Sequence, residues 1–417
     1  MSNLAFNKKP SYVMHIDVNS CFATIEQQAN PFLRGKPIAV GAYTTPNGCI
    51  LAASVEAKKL GIKTGMRVKD GRAIYPKLII LPSDPWKYRN VHLKLRKIIS
   101  EYTNDFSPKS IDEFVLNMED YLPLKGHPCK VVAQEIKDRI KKEIGEWITV
   151  SIGISTNRYL AKIAAGLKKP DGLDEINHLN YLDIYSKLKL TDLTGIKMGN
   201  SARLNSMGIY NVLDFYNAPL WKLKAAFHSI TGYYWQTRLH GYEIDDVEQK
   251  RSSYGNSTAL GKDLKSISEL SPILARLTEK MAARLRQAGY RARGVHLAIS
   301  YKDHGYWHMG RLSDHDMSDT CDIFKAALRL LTIAASNRPV RDIAVSVFGL
   351  SKEGSSQLKF FENVIRDQNL TKATDKINQK WGDFTLHLGR SFMGATSVKD
   401  RIAFGGLQLI EPTARRE

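Results

Sequence analysis

Ser110-Ile111-Asp112-Glu113 opens a stretch of strand character that continues to Met118. It carries two adjacent carboxylates. Successive residues of a strand point to opposite faces, so Asp112 and Glu113 reach one site only where the strand twists or turns locally, as at the end of a hairpin. The segment therefore predicts a paired carboxylate site or, as for most Asp-Glu pairs, two solvated charges at a hairpin end.

An earlier segment supplies a third carboxylate. Tyr12 to Val18 has the pattern of a buried strand with Asp17 near its end, and Asn19-Ser20 can start the helix that follows. Only a folded sheet that pairs the two strands brings Asp17 to Asp112 and Glu113. Clustered carboxylates hold Mg²⁺, which phosphoryl transfer to a nucleotide requires to neutralise the triphosphate. The three residues are therefore candidate metal ligands.

Strand and helix patterns continue on both sides of these segments. A helical pattern follows Pro85, another runs from Cys129 to Ile144, and Ile148 to Ser155 alternates as a strand does. The order strand, helix, strand, strand, helix, strand is that of a ferredoxin-like sheet, interrupted by a glycine-rich insertion from about residue 30 to 105. We assign this sheet to the catalytic domain and expect the insertion to form a small subdomain beside the site.

The rest of the chain divides in the same way. Residues 171–240 are helical, and the polar run from Glu243 to Ser253 is typical of a linker. Beyond it the earlier element order repeats, which predicts a second ferredoxin-like sheet up to about Leu350. The polar tail that follows is expected to need a partner to become ordered. The fold class is therefore α+β and multidomain.

Composition favours a nucleic-acid partner. The 417 residues include 61 Lys and Arg against 42 Asp and Glu, a net charge of +19 at pH 7. Such a surplus attracts a polyanion, although a basic surface also serves solubility alone. The four cysteines are widely spaced and predict neither a zinc site nor disulfides. Without an apolar signal core or an apolar run of about 18 residues, we expect a soluble, cytoplasmic protein.

Several ordered motifs resemble those of the Y-family DNA polymerases of the UmuC/DinB-like type, which copy damaged templates. The segment from Asp17 to Glu26 is similar to their first motif, and Ser110 to Glu113 matches their second. Four further matches agree in order and spacing: Glu56 to Gly61, Gly153 to Asn157 with Ala161 to Ala164, Lys169 to Gly172, and Leu193 to Ile196. The resemblance covers roughly residues 12 to 350 and favours a polymerase over solvated hairpin charges.

The resemblance implies a right-hand polymerase with a ferredoxin-like palm, small inserted fingers, a helical thumb and a second ferredoxin-like little-finger domain. The implied boundaries are palm 1–23 and 84–170, fingers 24–83, thumb 171–240, linker 241–252, little finger 253–350 and C-terminal tail 351–417. It also implies an open, error-prone active site without proofreading.

Site residues follow by carrying the family's roles onto matching positions. Asp17, Asp112 and Glu113 are implied ligands of two Mg²⁺ ions, with the Val18 carbonyl assisting one ion. Phe22 falls at the position of an aromatic steric gate. A planar ring beneath the sugar leaves no room for a 2′-hydroxyl, so it selects deoxynucleotides. The alternative is that Phe22 is an ordinary core residue of its helix.

The triphosphate contacts depart in part from the family. Lys169 aligns with a lysine that meets the incoming triphosphate, whereas Lys58 stands where an arginine is more usual and Val55 where a phosphate-binding tyrosine is usual. Lysine keeps the charge but lacks the bidentate geometry, and valine donates no hydrogen bond. We predict nucleotide binding by Lys58 and Lys169 with a weakened or rearranged triphosphate contact.

Two segments are expected to bind the DNA backbone. Leu193 to Gly199 resembles a helix-hairpin-helix, in which Gly195 and Gly199 allow a phosphate to approach free amides; a plain helical turn is the alternative. Basic residues also recur around one helix and the next strand of the last domain: Arg276, Lys280, Arg284, Arg286, Arg291 and Arg293. Such a run is often only a solvated face, but the family's C-terminal domain holds the duplex, which implies DNA contacts by Arg284, Arg291 and Arg293.

The tail contains a segment similar to the peptide by which bacterial polymerases dock into the sliding clamp, formed by Gln357, Leu358, Lys359, Phe360 and Phe361. A glutamine and bulky apolar anchors suit a polar rim and an apolar pocket. A local turn that packs its own aromatic rings is the alternative. His304 and His308 lie in a predicted hairpin without further ligands nearby, and we assign them no function.

The predicted activity is extension of a DNA primer, in which the 3′-hydroxyl attacks the α-phosphate of a deoxynucleotide and pyrophosphate leaves. The expected partners of this monomeric enzyme are primer-template DNA, deoxynucleotide triphosphates and the sliding clamp. Val55 and Lys58 keep open a noncatalytic DNA- and clamp-binding protein with a degenerate polymerase fold. A palm-type nucleotidyl cyclase is a further alternative, but it leaves the hairpin-helix and the basic last domain unexplained.

Overall fold

The computed structural model describes residues 4–121, 128–247, 251–334, 337–352, 364–382 and 384–392. These residues form two compact units, one ending at Val247 and the other beginning, among the described residues, at Arg251. The division falls inside the predicted linker 241–252. Within the described ranges, no helix combines the length and apolarity needed to cross a membrane.

The first unit contains both strands and helices. Its described strands are β1 (Val13–Val18), β2 (Ile38–Gly41), β3 (Ile50–Ala53), β4 (Ile79–Pro82), β5 (Phe106–Pro108), β6 (Glu113–Asn117), β7 (Val150–Ser155) and β8 (Leu173–Ile176). Its described helices are α1 (Cys21–Ala29), α2 (Val55–Lys59), α3 (Val68–Ile74), α4 (Pro85–Ser100), α5 (Cys129–Glu143), α6 (Arg158–Leu167), α7 (Tyr181–Lys187), α8 (Met198–Ser206), α9 (Val212–Asn217), α10 (Leu220–Phe227) and α11 (Thr231–Leu239).

A five-stranded sheet in the order β5-β6-β1-β7-β8 forms the centre of this unit. The central strand β1 runs antiparallel to β6 and β7, and β7 runs parallel to β8. Strand β8 at Leu173–Ile176 lies beyond the expected palm boundary at residue 170. The chain returns to the sheet there because α6 makes the crossover that a parallel strand pair requires. Helix α1 likewise spans the expected boundary between residues 23 and 24.

The two faces of this sheet differ in character. Met14, Ile16 and Val18 of β1 are buried in an apolar core with α1, α4 and α5. The alternate positions of β1 point to the other face, where α6 packs. Close approach of α6 depends on Gly153, because a Cβ at this position would lie 2.0 Å from the Ala161 carbonyl oxygen. The polar face of β1 is thus covered by one helix.

The inserted segment forms its own three-stranded sheet in the order β3-β2-β4, with α2 and α3 and a small apolar core. Helices α7 to α11 share a separate apolar core with residues of α6, including Tyr159 and Leu160. At the α10–α11 contact, Gly232 lets the backbones approach, since a Cβ there would lie 2.5 Å from the carbonyl carbon of Leu223.

The second unit repeats the predicted order β-α-β-β-α-β. Its described elements are β9 (Ser253–Ala259), α12 (Ile267–Gln287), β10 (Tyr290–Tyr301), β11 (Tyr306–Met317), α13 (Thr320–Ala334), β12 (Val340–Lys352), α14 (Val364–Trp381) and α15 (Gly389–Phe392). The sheet has the order β11-β10-β12-β9 and is antiparallel throughout. Helices α12 and α13 bury apolar residues against it. The expected fold class, α+β with two mixed sheet-and-helix domains, is confirmed.

Candidate active site

Strand pairing brings the three predicted carboxylates to one end of the sheet. Asp17 of β1 is the direct cross-strand partner of Glu113 of β6. Asp112 precedes β6, in the turn after β5, and its carbonyl accepts a 2.9 Å hydrogen bond from the Val18 N–H. The Ser110 hydroxyl donates to the Asp112 carboxylate. The hairpin end that the sequence required for adjacent residues to share a site is therefore present.

Two lysines form ion pairs with two of these carboxylates, Asp17 and Glu113. The Lys169 ammonium lies 2.7 Å from Oδ2 of Asp17, and the Lys162 ammonium lies 2.7 Å from both carboxylate oxygens of Glu113. Lys162 belongs to α6, the helix that covers the polar face of β1. Lys162 received no role in the sequence analysis. The only sign that it could matter was its place within the Ala161 to Ala164 motif.

His15 is a further residue that sequence reasoning missed. It lies two positions before Asp17 on the same face of β1 and is 2% exposed, with Nε2 3.8 Å from Oε1 of Glu113. Burial raises the pKa of Glu113, but the His15 ring and the Lys162 ammonium outweigh it and lower that pKa to about 2. Glu113 is therefore held ionised.

The acidic cluster suits a divalent cation. Burial raises the pKa of Asp112 above its ordinary value, the charges of Asp17 and Glu113 add to this, and the Ser110 hydroxyl opposes it. A bound cation relieves such repulsion. Among the described residues, His15, Asp17 and Glu113 offer ligand atoms that all lie within 4.8 Å of one another. Asp17 and Glu113 supply this group with the hard oxygen atoms that Mg²⁺ prefers, while its third member is the His15 imidazole.

Phe22 is fixed in position by a neighbouring aromatic ring. It lies in the first turn of α1, is 3% exposed, and stacks on Tyr88 with ring centroids 4.2 Å apart and planes 9° from parallel. The Tyr88 hydroxyl donates a 2.8 Å hydrogen bond to Glu26, which also accepts one of 2.6 Å from Lys87. Phe22 is thus part of the buried core, and its role as a steric gate stays a prediction.

The inserted subdomain places Lys58 near the carboxylates. Desolvation and the charge of Lys169 lower the pKa of Lys58, whereas Asp17 and Asp112 act in the opposite direction. Val55 begins the same helix, α2, after the N-cap residue Ser54. Lys58 and Lys169 therefore lie in one electrostatic environment with Asp17 and Asp112, and nucleotide binding by the two lysines stays a prediction.

The predicted helix-hairpin-helix is a tight turn followed by a helix. Gly195 has a φ of 97°, and a Cβ there would lie 3.2 Å from the Trp235 ring. Helix α8 begins at Met198 after Lys197, whose side chain makes no capping hydrogen bond. Gly199 lies in the first turn, and a Cβ on it would meet no atom within 4 Å. The open helix start is the feature that phosphate binding requires.

The basic run of the last domain separates into two groups. Arg286 makes a bidentate ion pair with Asp375 at 2.6 and 2.7 Å, and the Arg276 guanidinium lies 3.1 Å from the ring centroid of Phe384. Both therefore hold the C-terminal segment, which was expected to need a partner but forms α14 and α15 on α12. In residues 364–382 and 384–392, contacts within the chain therefore take the place of the expected partner, and the sequence gives no sign of these long-range contacts.

The second group includes the residues predicted to contact DNA. Arg293 is exposed on β10, and Arg291 is partly exposed on the same strand. Arg284 of α12 donates a 2.6 Å hydrogen bond to the Gly255 carbonyl. The segment Gln357 to Phe361, predicted to bind a clamp, lies outside the described residues.

In the β10–β11 hairpin, His308 contacts His296 and not His304, the histidine with which it was grouped in the sequence analysis. His308 lies 3.2 Å from His296, across the hairpin. His304 lies in the turn between the two strands, with a φ of 65°.

Comparisons with known proteins agree with this architecture. Residues 16–166 match the model of the impB/mucB/samB family, and residues 251–360 match the model of the impB/mucB/samB family C-terminal domain. A DNA polymerase IV of Moorella thermoacetica is 33% identical over 92% of this chain and 96% of its own length. That of Pelotomaculum thermopropionicum is 30% identical over 93% of this chain and 97% of its own.

A solved structure shares the fold. A Y-family DNA polymerase chimera of Dbh and Dpo4 superposes with a TM-score of 0.72 at 24% identity, over 82% of this chain and 99% of its own. With two matched family domains and relatives at 30% and 33% identity over nearly their whole length, the chain belongs to the impB/mucB/samB family.

Proposed function

We propose that this chain is a template-directed DNA polymerase of the translesion type, which adds deoxynucleotides to a primer 3′-hydroxyl across damaged DNA. The observation that carries the proposal is the convergence of Asp17, Asp112 and Glu113 at one sheet end, beside Lys58 and Lys169. Relatives named DNA polymerase IV support the same activity. No observation favours the noncatalytic reading or the cyclase.

The site residues have distinct proposed roles. Asp17, Asp112, Glu113 and the Val18 carbonyl would hold two Mg²⁺ ions. Bound there, the ions would supply charge neutralisation for the triphosphate and activation of the primer hydroxyl. Lys162 keeps Glu113 ionised through its two 2.7 Å contacts. Since the backbone pairing of β1 with β6 fixes the carboxylates, the site is organised before substrate arrives.

Substrate binding is proposed to use the remaining predicted residues. Lys169 and Lys58 would contact the triphosphate, and the ring of Phe22 would exclude a ribose 2′-hydroxyl. The start of α8 at Gly195 to Gly199 would receive a DNA phosphate, and the exposed Arg293 a second one. A sliding-clamp contact at Gln357 to Phe361, a monomeric state and a cytoplasmic location remain predictions.

Primer extension with Mg²⁺ tests the activity. Wild-type protein should extend a primer on a DNA template, and Asp112→Ala should lower the rate at least about 100-fold because a metal ligand is lost. Asp120→Ala, an exposed carboxylate beyond the end of β6, is the matched control and should extend normally. Extension that persists in Asp112→Ala refutes the site, and none by wild type refutes the function.

A further inference from the structure

The loop between α6 and β8 carries Lys169 and is held in an unusual backbone conformation. Lys169 contacts Asp17, and two residues later Asp171 has a φ of 60°. A left-handed conformation is uncommon for a residue with a side chain and persists where surrounding contacts impose it. The contacts that hold Asp171 therefore decide where this loop, and Lys169 within it, lies.

A buried lysine of α5 makes most of these contacts. Lys137 has a side chain only 5% exposed, and its ammonium lies 2.5 Å from the Asp171 carbonyl oxygen, 3.3 Å from that of Gly172 and 3.1 Å from Oδ1 of Asp171. Lys141, one turn later and more exposed, lies 2.7 Å from Oδ2 of Asp171. Burying an ammonium is costly unless oxygen acceptors surround it, and the loop supplies three.

The other side of the loop is tied to the strands of the site. The Asp171 N–H donates a 2.8 Å hydrogen bond to Oδ1 of Asn19, and the Gly172 N–H donates one of 3.2 Å to the Ser151 hydroxyl. The Asn19 amide also donates to Ser151 at 2.9 Å. Asn19 follows Asp17 by two residues, and Ser151 is the β7 partner of Asp17. The loop is thus clamped between α5 and the strands that carry the site.

We propose that Lys137 is a positioning residue for the incoming nucleotide. It reaches neither the carboxylates nor Lys169, but it fixes the Asp171 backbone and so presents Lys169 to the triphosphate. This inference rests on the proposed polymerase function. Loss of the Lys137 ammonium frees the loop, so it should weaken nucleotide binding while leaving the carboxylates and the chemical step intact.

The test separates binding from chemistry. In the full chain with primer-template DNA and Mg²⁺, KM and kcat for the correct deoxynucleotide are measured for Lys137→Met and for Lys142→Met, an exposed lysine of the same helix. A primer ending in a dideoxynucleotide gives the nucleotide Kd without reaction. Lys137→Met should raise KM and Kd about tenfold with kcat within about twofold, whereas Lys142→Met changes neither.

A double variant shows whether Lys137 acts through Lys169. In the Lys169→Ala background, Lys137→Met should raise KM by less than about twofold, because the group that it positions is gone. Unchanged KM in Lys137→Met, a full additional increase in the double variant, or a fall in kcat alone would overturn the inference.

If Lys137→Met does not fold, Lys137→Gln removes the ammonium and its ion pair with Asp171 while keeping a polar side chain at this buried position, and the same outcomes decide. Active wild type with an unaffected variant refutes this inference alone. Wild-type protein that does not extend primers refutes the polymerase function, and this inference with it.

Discussion

Asp17 lies directly opposite Glu113 across β1 and β6, and the two carboxylates contact different lysines at the same distance of 2.7 Å. The two lysines differ in how firmly the backbone that carries them is held. Lys162 projects from α6, which packs tightly on the sheet at Gly153, whereas Lys169 lies on a loop and has a side chain 43% exposed. Lys169 is therefore the more exposed and less firmly held of the two lysines, which suits its proposed contact with the triphosphate.

Sugar selection should depend on both stacked rings. Phe22→Val removes the planar ring, so insertion of ribonucleotides relative to deoxynucleotides should rise at least about 100-fold. Tyr88→Leu removes the surface against which Phe22 is stacked and should give a smaller increase, while Tyr88→Phe keeps the ring and should stay near wild type. Single-nucleotide insertion with matched ribo- and deoxynucleotides measures the ratio. Equal ratios in Phe22→Val and wild type would eliminate the gate.

Restoring the residues that are usual in the family at positions 55 and 58 should strengthen nucleotide binding. Val55→Tyr with Lys58→Arg restores a hydrogen-bond donor and a bidentate cation on α2, so KM for deoxynucleotides should fall about 3- to 10-fold. Steady-state primer extension measures KM. Lys59→Arg, at the neighbouring exposed lysine of the same short helix, is the control and should leave KM unchanged. An unaltered KM in the double variant shows that this subsite does not contact the triphosphate.

Local patterns in the sequence predicted the strands and helices of the site, but not which of them pair. The segment Tyr12 to Val18 and the turn before Glu113 were both predictable, because buried strands and hairpin ends have short-range signals. The pairing of Asp17 with Glu113 joins distant parts of the chain, and only the family resemblance suggested it. Strand β8 was missed because Leu173-Asp174-Glu175-Ile176 has two charges and becomes a strand only by pairing with β7.

The basic run of the last domain also shows that local sequence does not predict contacts between distant residues. By charge and spacing alone Arg286 and Arg293 are members of the same basic run, and only the family resemblance singled out Arg293 for DNA contact. In the folded chain Arg286 forms an ion pair with Asp375, 89 residues away in the sequence, while Arg293 is exposed. The composition of α12 does not show which of its arginines will pair with the C-terminal segment, because that pairing joins residues distant in sequence.

Substitution of Arg293 should therefore change DNA binding, whereas substitution of Arg286 should change stability. Arg293→Ala should weaken binding to primer-template DNA at every sequence and reduce the slope of log affinity against log salt by about 1, with no change in stability. Arg286→Ala breaks an ion pair and should lower stability of the second unit instead, leaving the salt slope intact. Fluorescence anisotropy at several salt concentrations, with thermal unfolding, distinguishes them. A reduced salt slope in Arg286→Ala would contradict the division into two groups.

Close packing of α6 on the sheet should be intolerant of a single methyl group. Gly153→Ala would place a Cβ 2.0 Å from the Ala161 carbonyl oxygen and 2.1 Å from the Ala165 nitrogen, both backbone atoms that cannot rotate away. The free energy of unfolding should fall by about 1 to 3 kcal/mol, as in overpacked cores. Gly166→Ala, with no atom within 4 Å of its Cβ, is the control and should be neutral or stabilising. Chemical denaturation measures both.

The start of α12 should give the second unit a measurable acid dependence. Glu269 accepts hydrogen bonds from the backbone N–H groups of Ser266 and Lys265 at 3.0 and 3.1 Å and from the Ser266 hydroxyl at 2.8 Å, which lower its pKa to about 2. A carboxyl with a depressed pKa stabilises the fold fully above its unfolded value near 4.5, and this contribution is lost as the pH falls towards 2.

Glu269→Gln should therefore lower the Tm of wild-type protein at pH 7, because the amide replaces a charged acceptor with a weaker one. The difference between the two proteins should shrink as the pH falls from about 4.5 towards 2, where the wild-type carboxyl is itself protonated. Thermal unfolding across this pH range measures it. Glu119→Gln, at an exposed carboxylate in a turn of the first unit, should show no such convergence. A difference in Tm that stays constant down to the acid limit would mean that the Glu269 charge does not stabilise the helix start.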